Sequence, residues 1–78
     1  MEEIKQRVIQ VLCTTLSVGE DKVSNVDKFT DIESWDSLNH LHILLGLEKE
    51  FGVKFDIQET ANISAISNVS ELIQRKLN

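Results

Sequence analysis

The sequence predicts a small all-α bundle of three longer helices and one short one, with a long loop between the first two helices. Apolar residues recur at helical spacing in three separate stretches, and proline is absent from all 78 residues. Residues that cap helices stand at the joints: Asp36 and Asn68 before helical runs, Gly52 after one. No strand hairpin, internal repeat or low-complexity segment interrupts the pattern.

Residues 2 to 17 set Ile4, Val8, Val11, Leu12, Thr15 and Leu16 on one face, with Glu2 and Glu3 at the positive end of the helix dipole. Cys13, beside Ile9 on the flank of this stripe, reads as a small packing residue. From Val18 to Asp36 the helical period disappears, and Gly19, Asn25 and four Asp residues punctuate a loop. Loops of this length are pinned by their own apolar residues or serve a function. Val23, Val26, Phe29 and Ile32 recur every three residues, which predicts a loop folded back on the core with a short helical turn in it.

Asp36 caps the run Ser37 to Phe51. At about 100° per residue, Leu38, Leu41, Ile43, Leu44, Leu45, Leu47 and Phe51 cover over half the circumference. Asn39, His42, Gly46, Lys49 and Glu50 form the polar side. Such an arc marks a central helix, whose surplus apolar surface packs on a second neighbour, lines a cavity or docks a partner. Gly52 ends it, Val53-Lys54-Phe55 reads as an extended link, and Asp56 to about Ala61 as a short third helix. Ile63 and Ile66 pin the next turn. Asn68-Val69-Ser70-Glu71 has the form of a capping box for a last helix to about Leu77, with Val69, Leu72, Ile73 and Leu77 as its apolar face and Arg75 and Lys76 at its cation-favouring end.

Composition narrows the function. The 78 residues read as one domain, 1–78, too small for a large enzyme fold, with 41% apolar residues to build a core. A lone cysteine and two histidines provide neither an intrachain disulfide nor a zinc ligand set. Neither a signal peptide nor a membrane-length apolar run is legible, so a cytoplasmic monomer is expected. The net charge of −5 argues against nucleic-acid binding. Acidic residues concentrate between Glu20 and Glu59, either as a patch that steers a basic partner or as a plain solubilising surface.

The most informative local feature is Trp35-Asp36-Ser37-Leu38, which puts an exposed hydroxyl at the mouth of the central helix. A phosphate esterified to Ser37 would meet unpaired N–H groups and the positive dipole end there. From the residues alone the plainer reading, an ordinary first-turn serine, is preferred. A hydrolase triad of Ser37, His40 and Asp36 is rejected because the three crowd into one turn. His40 and His42 point about 200° apart, which removes a metal site; His40 reads as a half-buried packing residue with one hydrogen-bond partner, His42 as a surface residue.

Asp36-Ser37-Leu38 opening a Leu-rich helix that closes Leu47-Glu48-Lys49-Glu50-Phe51-Gly52-Val53, after an acidic loop and a first amphipathic helix, resembles the acyl carrier proteins from about Glu2 to Leu77. The resemblance implies that Ser37, between Asp36 and Leu38, carries 4′-phosphopantetheine donated by coenzyme A through a phosphopantetheinyl transferase. The thiol of the arm then holds an acyl group as a thioester and presents it to ligases, synthases and transferases with basic docking surfaces. The chain itself is then not an enzyme. Asp31, Glu33, Asp36 and Glu48 are expected to attract those partners, and Leu38, Asn39 and His42 to belong to the surface they read. Trp35 either joins that surface or covers the end of the core. Carriers of the family often sequester the acyl chain between helices; Leu38, Leu41, Leu45, Leu47, Ile63 and Ile66 are its candidate lining, and core packing explains each nearly as well.

Housekeeping fatty-acid carriers usually read Gly-Ala-Asp-Ser-Leu-Asp, where this chain has Ser34-Trp35-Asp36-Ser37-Leu38-Asn39, and His42 occupies a commonly acidic position. The loss of two charges on that helix face favours a specialised stand-alone carrier in a lipid, polysaccharide, polyketide or aminoacyl pathway. Two alternatives stand beside the acyl reading: an aminoacyl or peptidyl carrier of the same fold, and an unmodified helical adaptor.

Overall fold

A computed structural model describes the backbone from Glu2 to Asn78 and the side chains from Glu3 onward; the expected place of the Glu2 carboxylate at the helix start lies outside the described residues. Four α-helices follow in chain order: α1 (Glu2–Leu16), α2 (Ser37–Phe51), α3 (Ile57–Asn62) and α4 (Ile66–Leu77). The loop between α1 and α2 contains two 3-10 turns, Glu20–Lys22 and Phe29–Asp31. The predicted all-α class is what forms, and the loop holds two helical turns where one was expected.

Helix α1 packs against both α2 and α4. Val8, Ile9, Leu12 and Leu16 of α1 meet Ile43, Leu44, Leu47 and Phe51 of α2 and Ile66, Val69 and Ile73 of α4 in one core. Val23, Phe29 and Ile32 of the loop are buried in it, with Val26 packed at its edge, as their spacing predicted. Cys13 also packs at the edge; burial pushes its thiol pKa up, and Glu20 and Asp21 add to the effect. The thiol is thereby kept protonated, as a packing residue should be.

Helices α1 and α2 close alike. The Val18 N–H reaches Cys13 O at 3.1 Å and the Val53 N–H reaches Glu48 O at 3.2 Å, each across a residue in the left-handed region. At α2 that residue is Gly52, φ 65°, which suits the position; at α1 it is Ser17, φ 55°, whose Cβ is crowded there.

The arc of α2 is divided. Ile43, Leu44, Leu47 and Phe51 are buried, but Leu38, Leu41 and Leu45 are 63, 52 and 54% exposed. The helix is rolled toward α1, so that Gly46, expected on the polar side, faces it: a Cβ at Gly46 would stand 3.0 Å from Val11 Cγ1. Glu50 follows the same roll, accepting from Arg7 Nε at 3.0 Å while the guanidinium lies over the Phe51 ring. One flank of the apolar arc therefore stays outside.

Helix α4 begins earlier than its sequence suggests. Asn68 is not its N-cap but its third residue; the cap position is Ala65, which has no side-chain acceptor. Asn68 reaches back, its Oδ1 accepting from the Ala65 N–H at 3.1 Å. The missing cap comes from the loop, where Asp27 accepts from the Ser67 N–H at 2.9 Å and the Ser67 hydroxyl at 2.8 Å. Backbone bonds from Ile66 N–H to Asp27 O and from Phe29 N–H to Ser64 O seal this junction around a single antiparallel bridge, Lys28 with Ala65. The α1–α2 loop is thus fastened to the start of α4. Helix α3 has a complete capping box between Asp56 and Glu59. Glu59 also holds Lys76 of α4 at 2.8 Å; that hydrogen bond, aided by the Asp56 N–H, keeps its carboxyl pKa below the ordinary value.

Candidate functional site

The turn leading into α2 is held by short-range bonds. The Trp35 N–H donates to Ile32 O at 3.0 Å, and Asn39 Nδ2 donates to Ser34 O at 3.1 Å. Asp36, extended at φ −151°, accepts from the Asn39 N–H on Oδ1 at 2.7 Å, the predicted N-cap. Ser37 is the first residue of α2 and is exposed. Among the described residues neither the Ser37 nor the Leu38 N–H has an acceptor, so the donors that a helix start leaves free stand beside the serine hydroxyl.

Trp35 and His40 flank Ser37 in the sequence and meet each other in space. The Trp35 indole Nε1–H donates to His40 Nδ1 at 3.2 Å, with the rings edge to face at 5.7 Å, and the Phe29 ring lies tilted against His40, also at 5.7 Å. An indole N–H can only donate, so Nδ1 is the acceptor and the proton of the neutral ring sits on Nε2. Burial lowers the His40 pKa below its ordinary value, which favours that neutral ring. His40 is half-buried with one partner, as expected, and Trp35, half-buried, packs against the core, one of the two places left open for it.

These two rings form one wall of a cleft of about 360 Å³, completed by Lys28, Phe29, Thr30, Ile63 and Ser64. The expected acyl-chain lining does not assemble around it. Leu38, Leu41 and Leu45 lie outside the bundle, Leu47 and Ile66 are core, and Ile63 alone of the six lines the cleft. The reason is the roll of α2, which spends its inward face on α1 and the loop. Lys28, Thr30 and Ser64 were not legible as cleft residues, because the junction of loop and α4 that brings them together joins positions 40 residues apart.

Of the residues expected at a partner surface, Asp31, Glu33, Leu38 and His42 are exposed and Asn39 is half-buried under its own hydrogen bonds. Glu48 is half-buried, and its Oε2 accepts from the Phe55 N–H at 2.8 Å, which ties the link after α2. The three leucines instead make an exposed apolar stripe running along α2 from beside Ser37, and Ile57 at the start of α3 is 90% exposed. Among the described residues, no group of His, Cys, Asp and Glu is arranged to hold a metal and no helix is long and apolar enough to cross a membrane.

No protein-family model matches the sequence. Curated relatives do. The chain is 35% identical to an acyl carrier protein of Petrotoga mobilis over 99% of its own length and 91% of that protein. It is 33% identical to an acyl carrier protein of Thermotoga maritima, over 97% and 94%, and 26% identical to one of Chloroherpeton thalassium, over 97% and 95%.

Proposed function

The chain belongs to the acyl carrier protein family, and on that premise we propose that it is a single-domain, non-catalytic carrier in the cytoplasm whose Ser37 bears 4′-phosphopantetheine. The observation that carries this reading is an exposed hydroxyl on the first residue of α2, next to two unpaired N–H groups. Those residues fit a phosphodiester: the Ser37 and Leu38 N–H groups and the helix dipole favour an anion at that oxygen. Asp36 fixes the turn by capping Asn39, so the hydroxyl is presented on a rigid end rather than on a mobile loop. When bound, the group supplies a terminal thiol on which an acyl chain is held as a thioester.

The remaining residues of this face serve recognition. Leu38, Leu41 and Leu45 offer partner enzymes an apolar strip beside the attachment point, and Asp31, Glu33 and Asp36 give it an acidic border suited to basic docking surfaces. The neutral Asn39 and the histidine at 42 thin that charge, which supports a specialised pathway over housekeeping fatty-acid synthesis. The test is incubation with coenzyme A and a broad-specificity phosphopantetheinyl transferase, followed by mass spectrometry. A gain of one phosphopantetheinyl group, lost in Ser37→Ala, is expected; no gain, or a gain that survives the substitution, overturns the assignment.

A further inference from the structure

The cleft walled by Trp35 and His40, two residues before and three after Ser37 in the chain, is poorly suited to a plain hydrocarbon. Phe29 and Ile63 give it apolar surface, but Lys28, Thr30 and Ser64 put polar groups on its walls. His40 contributes more than bulk. Its Nδ1 is committed to Trp35, and the resulting Nε2–H donor has no partner among the described residues. Ser37 and His40 are three residues apart, hence on neighbouring positions of one helix face. The donor is not enclosed by the protein, so an oxygen seated in the cleft can take the bond that solvent otherwise makes to it. The Lys28 ammonium, which forms no ion pair among the described residues, favours oxygen and opposes a second cation.

We propose that His40 is a specificity-determining residue: through Nε2–H it selects short acyl cargo bearing a hydroxyl or keto oxygen, held in the cleft beside Trp35, over plain alkyl or aminoacyl cargo. This rests on the carrier reading of Ser37. The same N–H could donate to an amide carbonyl of the prosthetic arm, so the experiment separates the two oxygen sources.

Trp35 is the only tryptophan, which makes the cleft its own reporter. The transferase is used to load Ser37 with the bare arm or with butanoyl, 3-hydroxybutanoyl or glycyl forms, each verified by mass. Acrylamide quenching of Trp35 is then measured. The 3-hydroxybutanoyl form should be quenched roughly twofold less than the other three, as expected for a ring covered by seated cargo. That difference should disappear in His40→Leu and persist in His40→Gln, whose amide both accepts from Trp35 and donates. Should His40→Leu fail to fold, the four wild-type forms decide by themselves. Equal protection by butanoyl or glycyl, protection by the bare arm alone, or no protection in any form overturns the proposal. Failure to load at all is a different result, read from the mass, and overturns the carrier reading on which it stands.

Discussion

Removing the Asp27 carboxylate should loosen a helix that lies 40 residues further along the chain. Helix α4 starts at a cap residue, Ala65, without an acceptor, and Asp27 satisfies the second N–H of the helix in its place. Loss of a cap costs about 1 kcal/mol. The exposed bond to the Ser67 hydroxyl adds about 0.5 kcal/mol, giving about 1.5 kcal/mol for Asp27→Ala. Asp27→Asn retains one oxygen acceptor and should lose about 0.5 kcal/mol, mostly the attraction of the carboxylate to the helix dipole. At a urea dependence of about 1 kcal/mol/M, the unfolding midpoint followed by circular dichroism should fall by about 1.5 M and 0.5 M respectively. The pair with Ser67→Ala should be non-additive, because the hydroxyl has no other partner once the carboxylate is gone. A midpoint for Asp27→Ala within about 0.3 M of wild type, or strict additivity with Ser67→Ala, would show that the loop does not cap α4.

The His40 imidazole, with its pKa lowered by burial, stays neutral in the folded chain where the unfolded chain already takes a proton. Its contribution is complete above the unfolded value near pH 6.5 and falls as pH drops through the lowered folded value. Between about pH 7.5 and 5.5, above the carboxylate range, the urea midpoint should decline and Trp35 emission shift to the red, and both changes should flatten in His40→Gln; an equal decline in that variant refutes the assignment. Ser17→Gly should raise stability by about 0.5–1 kcal/mol by removing a crowded left-handed Cβ, and a lowered urea midpoint would contradict this. Leu41→Glu, on the exposed stripe, should leave the urea midpoint within about 0.5 M while weakening association with the modifying transferase; unchanged binding by calorimetry would remove the stripe from the docking surface.

Helix existence was legible because it rests on local signals. Asp36 before a leucine-rich run and Gly52 after it bounded α2 to the residue, and the threefold spacing of Val23, Phe29 and Ile32 marked the loop as pinned to the core. The start of α4 was misplaced for a corresponding reason: Asn68 with Glu71 has the local form of a cap, but the acceptor that sets the boundary is Asp27, far away in sequence. The apolar arc of α2 was also visible, yet its division into buried and exposed flanks depends on the approach of α1 at Gly46.

The sequence by itself determined the class of this protein: a small all-α chain with a serine at a capped helix mouth, in a setting whose resemblance to carriers its relatives bear out. These are properties of periodicity, capping and short motifs, and each acts over a few residues. The tertiary structure alone decided which leucines face water, that the loop caps α4, and that Trp35, His40 and Lys28 meet in one cleft. Those outcomes depend on how α2 is rolled against α1 and where the loop is fastened, and helical periodicity specifies a face without specifying its partner.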